Sequence, residues 1–263
     1  MTRNKHYCFL ALLASALAAN ADSSLPVPDD MARIASGSYR PLFRSVTGSQ
    51  IVVVKSFLID RLPVSNGEFL EFLQTNPAWR RSKVKKILAD ESYLKSWAGD
   101  LDLGPNVLSN APVTYVSWFA AKAYAHGKGK RMPTVAEWEY TAGASSTRPD
   151  GDKDMNFQKQ VLQWYCAPAE KQGSPRGVHT PNYWGVHDLH GLVWEWVADF
   201  NTPLATGDIS SDSGADRDRF CGAGSVRAND VANFPAFMRY GFRSSLKANY
   251  CIHNLGFRCA KDL

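Results

Sequence analysis

Apolar residues change their spacing several times along this chain, and each change predicts an element. From Ile51 to Ile59 valine and isoleucine dominate, which reads as a strand. Pro63 follows, and Ser65-Asn66-Gly67-Glu68 has the form of a capping box: the serine hydroxyl caps an early amide and the glutamate reaches back. Phe69, Phe72 and Leu73 then fall on one helical face. Ser82 to Lys95 reads as a second helix, and residues 99–111, with Gly99, Gly104, Pro105 and Asn106, as loop. Val113 to Val116 reads as a short strand. Ser117 can cap a helix running to about His126, with Ala120, Ala121 and Tyr124 inward and Gly127 and Gly129 at its end. Pro133 to Glu137 forms another capping box, opening a helix that carries Trp138 and Tyr140. From Ala144 onward Gly, Asp, Asn and Pro recur every few residues. That predicts long ordered loops held by disulfides, ions and aromatic packing. No internal repeat and no break in composition divides the chain.

The N-terminus has a different character. Arg3 and Lys5 precede an apolar run, Tyr7 to Ala18, too short to span a bilayer, and Ala19-Asn20-Ala21 is a small-x-small cleavage pattern. Residues 1–21 therefore read as a secretory signal peptide, residues 22–30 as a leader, and residues 31–263 as one domain in the periplasm or outside the cell. Cys8 lies early in the apolar run, which argues against a lipoprotein site. Loss of the signal lowers the formal charge from +5 to +3, too weak a bias to point to nucleic acid. The basic cluster, Arg80 and Arg81 with Lys83, Lys85 and Lys86, reads as a solvated helix face. Eight Trp, ten Tyr and thirteen Phe suit a core with little regular structure. Four cysteines remain after cleavage: Cys166, Cys221, Cys251 and Cys259. In an oxidising compartment that suggests two disulfides, with three possible connectivities; their spacing matches no zinc pattern.

Three blocks carry a resemblance. Arg131-Met132-Pro133-Thr134-Val135-Ala136-Glu137-Trp138-Glu139-Tyr140 is similar to R-L-P-T-x-A-E-W-E-Y of the formylglycine-generating-enzyme (sulfatase-modifying factor) family. Tyr183 to Trp196 resembles that family's G-L-Y-D-M-x-G-N-V-W-E-W segment, and Asn254-Leu255-Gly256-Phe257-Arg258-Cys259 its terminal N-x-G-F-R-C. Weaker echoes stand at Pro63 to Asn66 and Pro112 to Trp118. The blocks occur in the family's order over residues 31–263. The resemblance implies an α+β fold, a variant of the C-type-lectin-like fold, with little regular structure and helices packed on small antiparallel sheets.

It also implies sites. In the family the G-L-Y-D-M-x-G-N-V-W-E-W segment wraps a calcium ion. The matching donors here are the Asp188 and Glu195 carboxylates and the Gly191 and Val193 carbonyls, hard oxygens suited to Ca²⁺. A second calcium has no clear counterpart between Gln163 and Gly177. The family's oxidase holds Cu(I) between two cysteines after a Gly-rich strand, represented here by Gly222 to Val226. The first cysteine position falls on Ala228 and the second near Asn233 or Pro235. No cysteine occurs between Cys221 and Cys251, so copper is not expected. The family's strand order would pair Cys221 with Cys259 and leave Cys166 with Cys251. Phe237 to Lys247 looks like a region bordering the substrate groove. Arg243 matches a groove arginine; with Arg239, Trp194 and Asn233 it could meet an extended peptide or an anionic group, or it could support the fold.

The function implied is that of an accessory or maturation factor in the periplasm, binding a protein or peptide partner. The chain looks most like the family members that lack the cysteine pair and occur beside nitrite reductases, which would make it a denitrification accessory. The alternative is an oxidase or tailoring enzyme with a rebuilt centre, formylglycine-generating-like or using non-haem iron. Iron would need two histidines and a carboxylate on one face, with His187, His190 and His253 as candidates.

Overall fold

The computed structural model describes residues 26–42, 51–166, 173–201 and 234–263. The signal segment, Asn233, Cys221 and the Gly222 to Val226 strand lie outside the described residues. The described chain is a mixed α/β structure with short strands in small sheets. Strand β1 (Met31–Ile34) pairs antiparallel with β4 (Phe57–Asp60), and β4 pairs antiparallel with the closing strand β7 (Ala260–Asp262). A separate antiparallel pair joins β2 (Gly37–Tyr39) to β3 (Val52–Val54). Strand β5 (Trp194–Trp196) runs parallel to β6 (Leu255–Phe257), with Glu195 opposite Gly256. No described helix is long and apolar enough to cross a membrane.

The capping signals hold. Helix α1 (Asn66–Thr75) opens with the Ser65/Glu68 box, α2 (Trp118–Gly127) with Ser117 accepting from the Ala120 amide, and α3 (Val135–Ala142) with the Thr134/Glu137 box. Phe69 and Phe72 of α1, Tyr124 of α2 and Phe257 of β6 interlock at ring distances of 5.3 to 6.2 Å and form the aromatic centre of the core. Gly256 is required here, because a Cβ would come within 2.6 Å of the Val113 carbonyl oxygen.

Four expectations are corrected. The strand expected over Ile51 to Ile59 is two strands with different partners, broken at Lys55-Ser56. Ser82 to Lys95 is a succession of turns. Arg81 binds the carbonyls of Leu94, Trp97 and Ala98, and Leu94 adopts φ +49°, outside any helix. Val113 to Val116 is extended but not a strand: Val113 bonds to Val64, Tyr115 bonds to Ile252, and Tyr115 itself sits at φ +56°. The region after Ala144 is not all loop. It holds α4 (Met155–Cys166) and α5 (Phe234–Ser244), which pack together. Helix α5 is inverted relative to the usual pattern: Arg239 and Arg243 are buried, while Phe234, Phe237 and Met238 are exposed.

Candidate functional site

Helices α3, α4 and α5 and strand β5 enclose a cavity of about 410 Å³, bordered among others by Trp138, Trp194, Phe242, Arg239, Arg243 and Asn254. Arg239 and Arg243 lie one helical turn apart on α5, so their guanidinium groups reach the same point. That point is Glu139 of α3. Arg239 donates Nη2 to Glu139 Oε2 at 2.7 Å and Nε to Oε1 at 2.9 Å, and Arg243 donates Nη1 to Oε1 at 2.5 Å. Arg239 also donates to the Tyr165 hydroxyl at 3.1 Å. The Trp138 ring lies 4.9 Å from the Arg243 guanidinium and 5.5 Å from that of Arg239, adding cation–π attraction to both.

Burial alone would raise the Glu139 carboxyl; the two arginines overturn that and hold it at about 2. The triad is therefore ionised at neutral pH, with two positive charges against one negative. The excess positive charge faces an aromatic wall, in which Trp194 stacks on Phe242 at 4.3 Å and 25°. Among the described residues Glu139 is the hydrogen-bond acceptor for Arg243, and it takes one of that guanidinium's donors.

A second polar network lies beneath this wall. Arg258 and Glu195 are both fully buried and paired through Nη2 to Oε1 at 2.7 Å and Nε to Oε2 at 2.8 Å. Trp138 Nε1 donates to Glu195 Oε2 at 2.7 Å, and Arg258 also donates to the carbonyls of Asp60 and His187. The pair is well satisfied, which a buried ion pair requires to be tolerated.

That network decides how the expected calcium donors fit. Both Glu195 oxygens face Arg258 and Trp138, so a cation there would meet a guanidinium. Asp188 lies in another network: it accepts from the Gly177 amide, the His179 amide and His179 Nδ1, the last at 2.8 Å. Asp188 borders a different cavity from Glu195. Both carboxylates expected to hold calcium are thus already engaged by other groups, and Leu192 stands where the resembled segment has an asparagine. Among the described residues no group of three His, Cys, Asp or Glu is arranged to hold a metal.

The histidines considered for iron are also dispersed. His187 Nδ1 meets the His179 carbonyl, His190 is buried beside Asp188, and His253 borders the arginine cavity. The expected Cys166–Cys251 disulfide is absent: Cys166 is an exposed thiol at the end of α4, and Cys251 is a buried thiol. Burial, reinforced by Asp90, pushes the Cys251 thiol up, away from the thiolate form that reacts and binds metals. Cys259 is likewise a buried free thiol, raised by burial and by Asp60. Its expected partner Cys221 lies outside the described residues, as does the groove candidate Asn233. Of the groove candidates, Arg239, Arg243 and Trp194 do come together.

Sequence reasoning missed Glu139, Trp138, Tyr165 and Phe242. Glu139 and Trp138 stand inside the quoted R-M-P-T-V-A-E-W-E-Y block, but the arginines they serve follow a hundred residues later, and no local spacing links them.

A model of the "Sulfatase-modifying factor enzyme 1-like domain" matches residues 19–263. An "Inactive C-alpha-formylglycine-generating enzyme 2" of Bos taurus is 29% identical over 80% of this chain and 78% of its own length. A "Formylglycine-generating enzyme" of Streptomyces coelicolor is 32% identical over 58% of this chain and 53% of its own length. A "Serine/threonine-protein kinase pkn1" of Chlamydia pneumoniae is 30% identical over 57% of this chain. The chain spans only 23% of that kinase's length.

Proposed function

The chain belongs to the sulfatase-modifying factor enzyme 1-like domain family, and from that premise we propose that it is an exported, non-oxidising member that holds an acidic peptide or protein segment in the arginine cavity. The observation that carries this reading is the triad of Glu139, Arg239 and Arg243. It places two guanidinium groups against one carboxylate on a cavity wall lined by Trp194 and Phe242. A carboxylate of the bound segment would meet Arg243, whose planar fork suits that group. The stacked rings would cover the apolar part of an extended chain.

Three further points support the reading. No cysteine occurs between Cys221 and Cys251, so the family's thiolate pair for Cu(I) has no counterpart at Ala228. Cys251 and Cys259 are buried thiols, away from this cavity. A relative alignable over most of both chains is itself described as inactive. Export rests on the signal-like residues 1–21 and would put the partner in the periplasm or outside the cell. Placement beside the nitrite-reductase-associated members, and within the C-type-lectin-like variants, belongs to the same proposal and rests on the resemblance alone. The expected calcium is left out of the proposal, because its two carboxylates are engaged by protein groups, Glu195 by a guanidinium.

The test uses residues 22–263 purified from periplasm without chelator. A cysteine-containing peptide is incubated aerobically with the protein, with and without added copper, and elemental mass spectrometry reads the resident metals. The account expects no conversion of cysteine to aldehyde and no stoichiometric copper or iron. Turnover, or one redox metal per chain, would favour a rebuilt oxidase and overturn the accessory reading.

A further inference from the structure

Trp164 of α4 borders the arginine cavity on one side and a second cavity, of about 640 Å³, on the other. The two have opposite electrical character. Among the described residues, those bordering the second cavity include Asp154, Asp188, His179 and His190, and no lysine or arginine. Phe157 and Trp164 supply aromatic surface, and Asn156, Thr147 and Thr180 supply polar groups.

His190 provides the independent sign of a ligand. It is 7% exposed, and its Nε2 lies 2.9 Å from the Ala142 carbonyl oxygen. A carbonyl only accepts, so Nε2 carries the proton and Nδ1 presents a lone pair. That Nδ1 is buried and has no hydrogen-bond partner among the described residues. The rings of Trp138, Phe157, Trp164 and Tyr165 surround the imidazole at 5.8 to 6.1 Å. Trp138 Nε1 is already bonded to Glu195. Buried acceptors rarely stay unpaired in folded proteins, so a donor is missing from this place. Of the two cavities, His190 borders only the second.

We propose that this second cavity binds a small protonated amine, with one N–H given to His190 Nδ1 and its charge balanced by Asp188 and Asp154. The chemistry of the walls selects this class. Two carboxylates, with no lysine or arginine among the described residues that border the cavity, favour a cation over a neutral or anionic molecule. The aromatic faces of Phe157 and Trp164 attract an ammonium group. The unpartnered lone pair requires that the cation carry an N–H, which excludes a quaternary ammonium as the best ligand. A metal ion is disfavoured, because the carboxylates are engaged by backbone amides and by the His179 ring, and among the described residues no three His, Cys, Asp or Glu converge. The size falls within the range of small-molecule sites.

The experiment titrates residues 22–263 with n-butylammonium, tetramethylammonium and n-butanol, following binding by saturation-transfer NMR. Butylammonium is expected to bind saturably, at least about tenfold tighter than either other probe. His190→Phe, which keeps an aromatic ring in the box, is expected to reduce butylammonium binding by about tenfold and to leave tetramethylammonium binding unchanged, with a lower thermal midpoint because the Ala142 carbonyl loses its donor. Equal binding of butylammonium and tetramethylammonium would remove the role of Nδ1. Undiminished butylammonium binding to a folded His190→Phe protein, or no saturable binding at all, would overturn the site. Displacement of butylammonium by equimolar calcium would reassign the cavity to a metal.

Discussion

The arginine cavity and the histidine cavity share a wall, Trp164, yet differ in almost every other respect. In the first, charge is concentrated on α5 and partly cancelled by Glu139. In the second, charge comes from Asp154 and Asp188, and the central imidazole is neutral, held by burial and by Arg239 down at about 4. The difference shows that Trp164 of one helix, α4, can border two cavities of opposite charge character, the first with Arg239 and Arg243 and the second with Asp154 and Asp188. Fold alone would not have distinguished them.

The comparison can be broken most severely from below. Glu195 and Arg258 form the fully buried pair that supports β5 and β6 beside the arginine cavity. Arg258→Met leaves a buried carboxylate without its partner and is expected to cost about 3–5 kcal/mol in urea unfolding. The double variant R258M/E195Q should recover much of that loss, because no uncompensated charge remains. A loss no larger than that of a surface substitution would show the pair to be dispensable.

Glu139→Gln separates the cavities more gently. It removes the counter-charge of two arginines but keeps a carbonyl acceptor, and should destabilise by about 2 kcal/mol. The same carboxyl sets a pH window. Its folded value, about 2, lies below its ordinary 4.5, so its stabilisation is complete above about 4.5 and is lost as pH falls towards 2. Acid unfolding curves of wild type and Glu139→Gln should therefore converge below about pH 4.5. Parallel curves down to pH 2 would contradict the assignment.

Arg243→Met should change stability least of the charge substitutions, because Arg239 still holds Glu139 through two nitrogens. It should weaken an acidic peptide by about tenfold, the worth of one charge-assisted contact of about 1.4 kcal/mol. Trp194→Ala should weaken acidic and neutral peptides alike, by about 1 kcal/mol, through loss of the stack on Phe242. His190→Phe should leave peptide affinity in the arginine cavity unchanged.

Much of the scaffold was legible because it rests on local chemistry. Ser65, Ser117 and Thr134 announced three helix starts, and the structure forms all three with those caps. Helices α4 and α5 were not legible. In α5 the arginines point inward and Phe234 and Phe237 outward, which cancels the signal that apolar periodicity gives. Turns replaced the helix at Ser82 to Lys95, where the Asp90 and Leu94 amides bond to the distant carbonyls of Asn249 and Tyr115 instead of to the preceding turn. The site was half visible: Trp194, Arg239 and Arg243 were named from the resemblance. Glu139, which determines what the arginines can bind, lies in a remote block. The calcium donors illustrate the converse. Asp188 and Glu195 match a motif by position, but Arg258, a residue of the closing block, occupies the Glu195 carboxylate.

The most direct test of the central claim compares the affinities of a blocked tetrapeptide carrying one aspartate and of its asparagine counterpart for wild-type protein and for Arg243→Met, by calorimetry at low salt. The account predicts that wild type prefers the aspartate peptide by about tenfold and that the preference disappears in Arg243→Met. Equal affinities for the two peptides in wild type, or a preference that survives in Arg243→Met, would contradict it.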